Sequence, residues 1–262
     1  MVFKKMLRSL GVGGPSVDTV LTTPTVQPGG SLTGEVRVTG GDHEVDVEHI
    51  ALSLVTRVEV ETDDADYDMT QQFHHGVITG AFRLASGQNT VVPFQMPIPW
   101  ETPVTEFYGQ HLHGMSMGVK TELAVAKAVD KGDLDPISVA PLPSQLRILE
   151  AFGQLGFRFK GADCERGRIY GVNQQLPFYQ EIEFYPPPQY AGAINQLELT
   201  FLATPQQLQV VLEIDKRGGM FTEGHDAFGR FNVDYATVDQ TDWTGQIDGW
   251  LRQSCQRRGL FF

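Results

Sequence analysis

Cysteine is scarce in this sequence, which has only Cys164 and Cys255 among its 262 residues. Two distant cysteines exclude a disulfide framework or a zinc ribbon and are typical of a reducing compartment. Long apolar runs are also missing, since no stretch approaches the ~20 residues of a membrane span. The N-terminus lacks the apolar core and the cleavage site of a signal peptide. We therefore expect a soluble, cytoplasmic protein.

Basic residues are outnumbered: 20 lysines and arginines face 32 acidic residues, for a formal net charge of -12. This balance argues against nucleic acid as a partner, because phosphate backbones are bound by basic surfaces. The apolar fraction of 41% is ample for a packed core. The length predicts one large or two medium domains.

Nucleotide-binding loops and a cysteine–histidine pair are absent as well. The sequence contains no G-x-x-x-x-G-K-[ST] loop and no G-x-G-x-x-G after a strand, and neither cysteine has a histidine nearby in sequence. We predict a protein that is not an enzyme and has no cofactor.

What is present is alternation with a period of two. Leu32, Val36 and Val38 fall on one face, and the alternation in 45–54 changes phase near His49, which predicts a β-bulge. Turn sequences such as "QPGG" and "TGGD" separate the strands. Regular spacing of strands and turns predicts a β-sandwich.

Three prolines in "DKGDLDPISVAPLP", 130–143, predict a linker. We predict an N-terminal sandwich over 1–135, a linker over 136–143, a C-terminal sandwich over 144–220 and a tail with an amphipathic helix over 221–262. Strands of the second sandwich are predicted in "GFRFKGAD", "GRIYGV", "QEIEFYPP", "INQLELTFLA" and "QQLQVVLEID".

Three short helices are predicted. One follows the linker with Ser144 as its N-cap, and another spaces Trp243, Ile247 and Trp250 at helical intervals. The third is N-terminal, where Phe3, Lys4, Lys5, Leu7 and Arg8 belong to a basic amphipathic segment. That segment either caps the first sandwich, which we favour, or makes weak peripheral contact with a membrane.

Histidines are the candidate metal ligands. His111 and His113 would share a face of a strand, and one of the adjacent pair His74 and His75, with His74 as the candidate, could join them. Since a zinc site needs three or four converging ligands, we interpret these side chains as ordinary strand or loop histidines and predict no metal site. Similarly, we interpret "ETDDADYD" (61–68) as a solvated loop rather than a calcium site, and "YPPPQY" (185–190) as a stiff loop rather than a polyproline ligand.

Several long stretches together carry a resemblance. They are "SVDTVL" (16–21), "PFQMPIPWETPVT" (93–105), "ELAVAKAVDKGDLDPI" (122–137), "GFRFKGADCERGRIYG" (156–171) and "LPFYQEIEFYPP" (176–187). With these stretches the chain resembles the bacterial sporulation-control protein family of the stage-zero M type, the SpoOM family. The resemblance implies a mainly β fold of two antiparallel β-sandwich domains in an arrestin-like arrangement, a regulatory role and no catalytic residues.

The function predicted from residues and resemblance together is a non-enzymatic regulatory or scaffolding protein that acts through protein–protein interaction. The alternative is a metal-dependent enzyme or metal-binding protein using the cluster of His111 and His113. Partner binding is expected at a strand edge, and the acidic charge favours a basic partner.

Overall fold

Strands provide most of the regular structure in the computed structural model, which describes residues 13–60, 62, 65–216 and 227–256. The strands before residue 140 are β1 (Ser16–Leu21), β2 (Thr25–Val26), β3 (Ser31–Thr39), β4 (Val45–Val60), β5 (Tyr67–Thr79), β6 (Phe82–Leu84), β7 (Asn89–Pro97), β8 (Glu106–Phe107), β9 (Gln110–His111), β10 (Met117–Val125), β11 (Lys131–Pro136) and β12 (Ser138–Val139). The later elements are α1 (Pro143–Gln154), β13 (Arg158–Arg166), β14 (Phe178–Tyr185), β15 (Ile194–Ala203), β16 (Gln207–Lys216), β17 (Ala227–Asp234), a 3-10 helix (Val238–Gln240) and α2 (Trp243–Gln256). The mainly β prediction is confirmed.

The described chain forms two compact units that are interleaved in sequence. The first unit takes residues up to 57, then 70–99 and 116–139; the second takes 58–69, 100–115 and the chain from 140 onward. Strands β4 and β5 each pass from one unit into the other. The units therefore differ from the predicted contiguous division into 1–135, 136–143, 144–220 and 221–262. The chain last passes from the first unit to the second after residue 139, which lies inside the predicted linker.

In the first unit, one sheet has the order β1, β3, β7. Strands β11, β10 and β4 are also paired in that order, and β5 and β6 pair with β4. The alternating residues Leu32, Val36 and Val38 are all buried. Pairing of β10 with β4 steps from Ala124 opposite His49 to Val125 opposite Val47. This irregularity confirms the predicted bulge near His49.

The second unit is built on the antiparallel run β13, β14, β15, β16, β17. One face of this sheet is apolar and buried, with Ile182, Leu197, Leu199, Leu212 and Ile214 all at most 1% exposed. Burial of alternate residues follows from the pleat, which directs successive side chains to opposite faces. The other face is free to carry polar side chains.

Two helices belong to the second unit. Helix α1 begins two residues earlier than expected: its N-cap is Leu142, Pro143 occupies the first turn, and the Gln145 side chain accepts a hydrogen bond from the Leu142 N–H at 2.8 Å. Ser144 is therefore inside the helix rather than at its cap. Ser144 belongs to the buried face of this helix. The same face places Phe152 in a stack on Phe184, with ring centroids 5.3 Å apart.

Local predictions differ from the structure at three further places. The segment 130–143 is not irregular, because β11 and β12 lie within it and pair with β10 and β2. The predicted strand "GRIYGV" is a loop, in which Gly171 has a φ of +75°. The predicted tail contributes β17, which pairs with β16 over eight residue pairs.

The N-terminal segment with Phe3, Lys4, Lys5, Leu7 and Arg8 lies outside the described residues. Within the described part of the chain, no helix combines the length and the apolar character needed to cross a membrane.

Candidate functional site: a carboxylate face with a cavity

Acidic side chains line the polar face of the sheet in the second unit. Asp163 lies opposite Glu181, while Glu183 lies opposite Glu198, and Glu198 lies opposite Glu213. Because directly opposed residues and residues two apart on a strand share a face, these side chains occupy one side of the sheet. We call Asp163, Glu165, Glu181, Glu183, Glu198 and Glu213 the carboxylate face.

The carboxylates of this face converge. Oxygen atoms of Asp163, Glu165 and Glu181 lie within 4.8 Å of one another, and so do those of Glu181, Glu198 and Glu213. Glu181 belongs to both groups and is therefore the centre of the carboxylate face. Like charges placed directly opposite on adjacent strands destabilise a sheet, so this arrangement is costly when ionised.

Burial and mutual repulsion change the protonation of these groups. Burial, followed by repulsion from Glu198, raises the pKa of Glu181 to about 10. Burial also raises the pKa of Asp163 to about 7, with Glu183 as the next cause, and raises the pKa of Glu198. Glu181 is consequently held as a neutral acid at pH 7.

Neutralising partners lie mainly at one end of the face. The Lys160 ammonium is 3.0 Å from the Glu183 carboxylate, and the Gln196 amide donates to both Glu183 and Glu198 at 2.6 Å. Tyr179 donates its hydroxyl to Glu165 at 3.3 Å. Burial first, and then the charge of Glu181, raises the pKa of this phenol.

A cavity of about 310 Å³ opens over the face. Half-buried carboxylates contribute to its lining, and two exposed aromatic rings stand at it: Tyr170 is 92% and Phe228 57% exposed. Its lining residues are Arg168, Ile169, Tyr170, Tyr179, Glu181, Glu198, Thr200, Val211, Glu213, Phe228 and Arg230. The cavity thus combines negative charge, aromatic surface and two exposed guanidinium groups.

The loop that carries Tyr170 is held by a buried glutamine. The Gln174 amide donates to the carbonyls of Gly167 and Leu176 at 2.9 and 2.7 Å, and its oxygen accepts the Ile169 N–H at 2.9 Å. These bonds satisfy backbone groups that a strand would have paired with a neighbour. They explain why "GRIYGV" forms a fixed loop at the cavity.

The histidines do not form the arrangement considered from sequence. His111 ends β9 opposite Glu106, but His113 lies in the following turn, so the two do not share a strand. His75 contacts the Ser53 hydroxyl at 3.0 Å, while His74 has a φ of 49° within β5. Among the described residues, the groups of three potential ligands within 4.8 Å contain carboxylates alone.

The two other candidate motifs have simple surroundings. "YPPPQY" ends in a turn in which Tyr190 N–H donates to the Pro187 carbonyl, as a loop interpretation predicts. In the acidic run 61–68, residues 61, 63 and 64 lie outside the described residues.

Sequence reasoning missed the carboxylate face, although a signal exists. Acidic residues occupy the outward positions of consecutive strands, as in "EIEF", "QLELTF" and "VVLEID". That alternation predicts each strand by itself. Convergence of the carboxylates depends on the register between strands, which alternation within one strand does not specify.

A double substitution tests the histidine interpretation. We expect the parent protein and the variant His111→Ala with His113→Ala to melt at temperatures that a chelator leaves unchanged, since loss of a ligand-bound metal would remove binding free energy from the folded state. Differential scanning fluorimetry with and without EDTA measures this. A drop of several degrees in the parent but not in the variant would contradict the prediction.

Comparison with known proteins agrees with the resemblance seen in the sequence. The SpoOM protein family model matches residues 3–218. The sporulation-control protein Spo0M of Bacillus subtilis (strain 168) is 35% identical over 216 residues, which cover 82% of this chain and 81% of that protein. The crystal structure of Spo0M from Bacillus subtilis superimposes with a TM-score of 0.81 at 30% identity, covering 92% of this chain and 99% of the other. The chain belongs to the SpoOM family.

Proposed function

We propose that this chain is a non-enzymatic regulatory or scaffolding protein of the sporulation-control type, which acts in the cytoplasm through protein–protein contacts. The name of the Bacillus relative supports a role in controlling sporulation. The arrestin-like arrangement implied by the resemblance supports an interaction surface rather than a reaction centre.

The observation that carries the proposal is the carboxylate face with its cavity. Three carboxylates within 4.8 Å of one another are retained on a solvent-accessible sheet face despite their mutual repulsion. A cationic group from a partner would relieve that repulsion and gain charge-assisted hydrogen bonds. The net charge of -12 acts in the same direction, because complementary potentials accelerate the encounter with a basic protein.

The metal-dependent alternative built on His111 and His113 has less support. The two side chains are exposed, and they lie on either side of the buried Leu112 in a hairpin and its following turn. No third ligand among the described residues joins them within 4.8 Å. We therefore base the proposed function on the carboxylate face.

Salt sensitivity is the prediction that tests this function. We expect the immobilised full chain to capture a basic protein from a lysate of its host at about 0.1 M salt and to release it at about 1 M, where the Debye length falls from about 10 Å to about 3 Å. Elution followed by mass spectrometry identifies the protein.

An unrelated acidic protein of similar net charge is immobilised in parallel as a control. Proteins that bind to both columns recognise net charge alone and are discounted. A partner retained at about 1 M salt, or the same proteins on both columns, would contradict the proposed function.

A further inference from the structure

Strand β17 is the end strand of the sheet in the second unit. It pairs with β16 alone in the sheet order found for the described residues, and the register is continuous from Gln207 opposite Asp234 to Ile214 opposite Ala227. Its sequence, AFGRFNVD, contains no proline and no lysine, and the pairing contains no bulge. Prolines, lysines and bulges are features by which proteins usually prevent an edge from pairing with another chain.

The end strand β7 of the first unit provides a contrast. It is of similar length but contains Pro93 and Pro97, which cannot donate a backbone hydrogen bond. A strand added at β7 would therefore lack donors at those positions. Of these two end strands, β17 is the better acceptor for an extended segment.

The inner face of β17 is fixed by α2. The Phe231 ring stacks on Trp243 with centroids 5.6 Å apart, and a Cβ at Gly229 would lie 2.4 Å from the Trp250 ring. The strand is therefore held against a helix on one face. A rigid edge loses little conformational entropy when it binds an extended segment.

The outer face of β17 adjoins the carboxylate face. Phe228 lies opposite Glu213, Arg230 lies opposite Val211, and all four side chains line the cavity. In a strand added to β17, alternate side chains would stand on this same face. One of them would lie beside Phe228, whose ring attracts a cation, and next to the carboxylates behind it.

Arg230 restricts the sequence that fits. It lies two residues after Phe228 on the same face, so a second cation placed there would be repelled. An uncharged or acidic side chain suits that position. The edge and cavity together select an extended segment with a basic residue beside Phe228 and a non-basic residue beside Arg230.

We infer that the edge of β17, which no described strand pairs, binds an extended segment of a partner protein by backbone pairing, with a basic side chain of that segment placed over Phe228 toward Glu213. The inference rests on the proposed function and names its binding site. Backbone hydrogen bonds supply affinity, and the cavity supplies specificity.

The probe is a short capped peptide of alternating threonine and valine with one central arginine. We expect it to bind the full chain and to slow hydrogen exchange in the amides of β17. A peptide with glutamate in place of the arginine, and one with alternate backbone amides N-methylated, are expected to bind at least roughly tenfold more weakly. Fluorescence anisotropy measures the affinities.

The matched variants are Glu213→Gln and Asp215→Asn, which remove one charge each from β16. Glu213 lines the cavity and Asp215 does not. We expect Glu213→Gln to weaken binding of the arginine peptide roughly tenfold and Asp215→Asn to leave the affinity for this peptide unchanged. Thermal melts of both variants verify that they fold, and Phe228→Ala serves in place of Glu213→Gln if that variant does not.

Three results would overturn the inference. They are absence of peptide binding, binding without protection of β17, and protection of β17 that grows with protein concentration in the absence of peptide, which would identify a second copy as the occupant. If the host partner is still captured and released by salt in any of these cases, the proposed function stands and only the site is wrong. If no partner is captured but the peptide binds as described, the proposed function fails and the β17 site stands.

Discussion

Glu181→Gln is expected to raise the free energy of unfolding at neutral pH by about 1 to 3 kcal/mol and to flatten its pH dependence. The pKa of Glu181 is raised to about 10 in the folded protein because the group is buried and repelled by neighbouring carboxylates. An unfolded glutamate ionises near pH 4.3. Glutamine keeps the shape of the neutral acid and removes the preference of the unfolded state for ionisation.

The sign of the pH dependence follows from proton binding. Below about pH 4 both states of Glu181 are protonated, and its stabilising contribution is fully present. As the pH rises toward 10, the unfolded state has lost the proton that the folded state retains, so stability falls by up to about 1.4 kcal/mol for each pH unit. Asp163, with a pKa raised to about 7, acts in the same direction over a narrower window that ends near pH 7.

Urea unfolding at pH 5, 7 and 8.5 measures this effect. The exposed Asp215 provides a control, because Asp215→Asn also replaces a carboxyl group of this sheet by an amide, but at an exposed position, and should leave the slope of the parent in place. A Glu181→Gln protein that loses stability with pH as steeply as the parent would contradict the assignment of the proton to Glu181.

Truncation after Asp239 is expected to destabilise the second unit by several kcal/mol or to prevent its folding. It removes α2, whose Trp243, Ile247 and Leu251 are 8%, 2% and 0% exposed. The Trp243 indole N–H also donates to the Val238 carbonyl at 2.8 Å. Without α2, the inner face of β17 would be exposed to water.

Two comparisons make this prediction sharper. Truncation after Gln256 shortens the chain but keeps all of α2, and its urea midpoint is the reference for the shorter truncation. Trp243→Ala keeps the chain length and should lower the free energy of unfolding by about 3 to 5 kcal/mol, as replacement of a buried aromatic side chain by alanine usually does. An Asp239 truncation as stable as the parent would mean that α2 serves partner binding and not the core.

Helix α2 shows how far local pattern predicts the structure. The spacing of Trp243, Ile247 and Trp250 predicts an amphipathic helix, and the stack of Trp243 on Phe231 shows that this helix packs against β17. The bulge near His49 was equally visible, because a phase change in alternation is a local signal.

Features that depend on distant residues were not predictable in this way. Strand β17 was missed because Gly229 interrupts its apolar alternation, and that glycine is explained only by the Trp250 ring above it. The carboxylate face required the register of strands β13 to β16, and the position of His113 required the hairpin turn at Tyr108 and Gly109, where φ is 50° and 72°. Sequence patterns report one element at a time, whereas these sites are made by several.

The interleaving of the two units has a consequence for synthesis on the ribosome. Three segments of one unit alternate with three of the other, so the chain passes between them five times. The first unit cannot be completed before its last segment, which ends at 139, has emerged. By then residues 58–69 and 100–115 of the second unit have been synthesised, but the strands with which they pack have not. Nascent chains should therefore expose incomplete sheets for longer than chains whose domains follow one another, which makes this protein a candidate client for chaperones that bind unpaired strands.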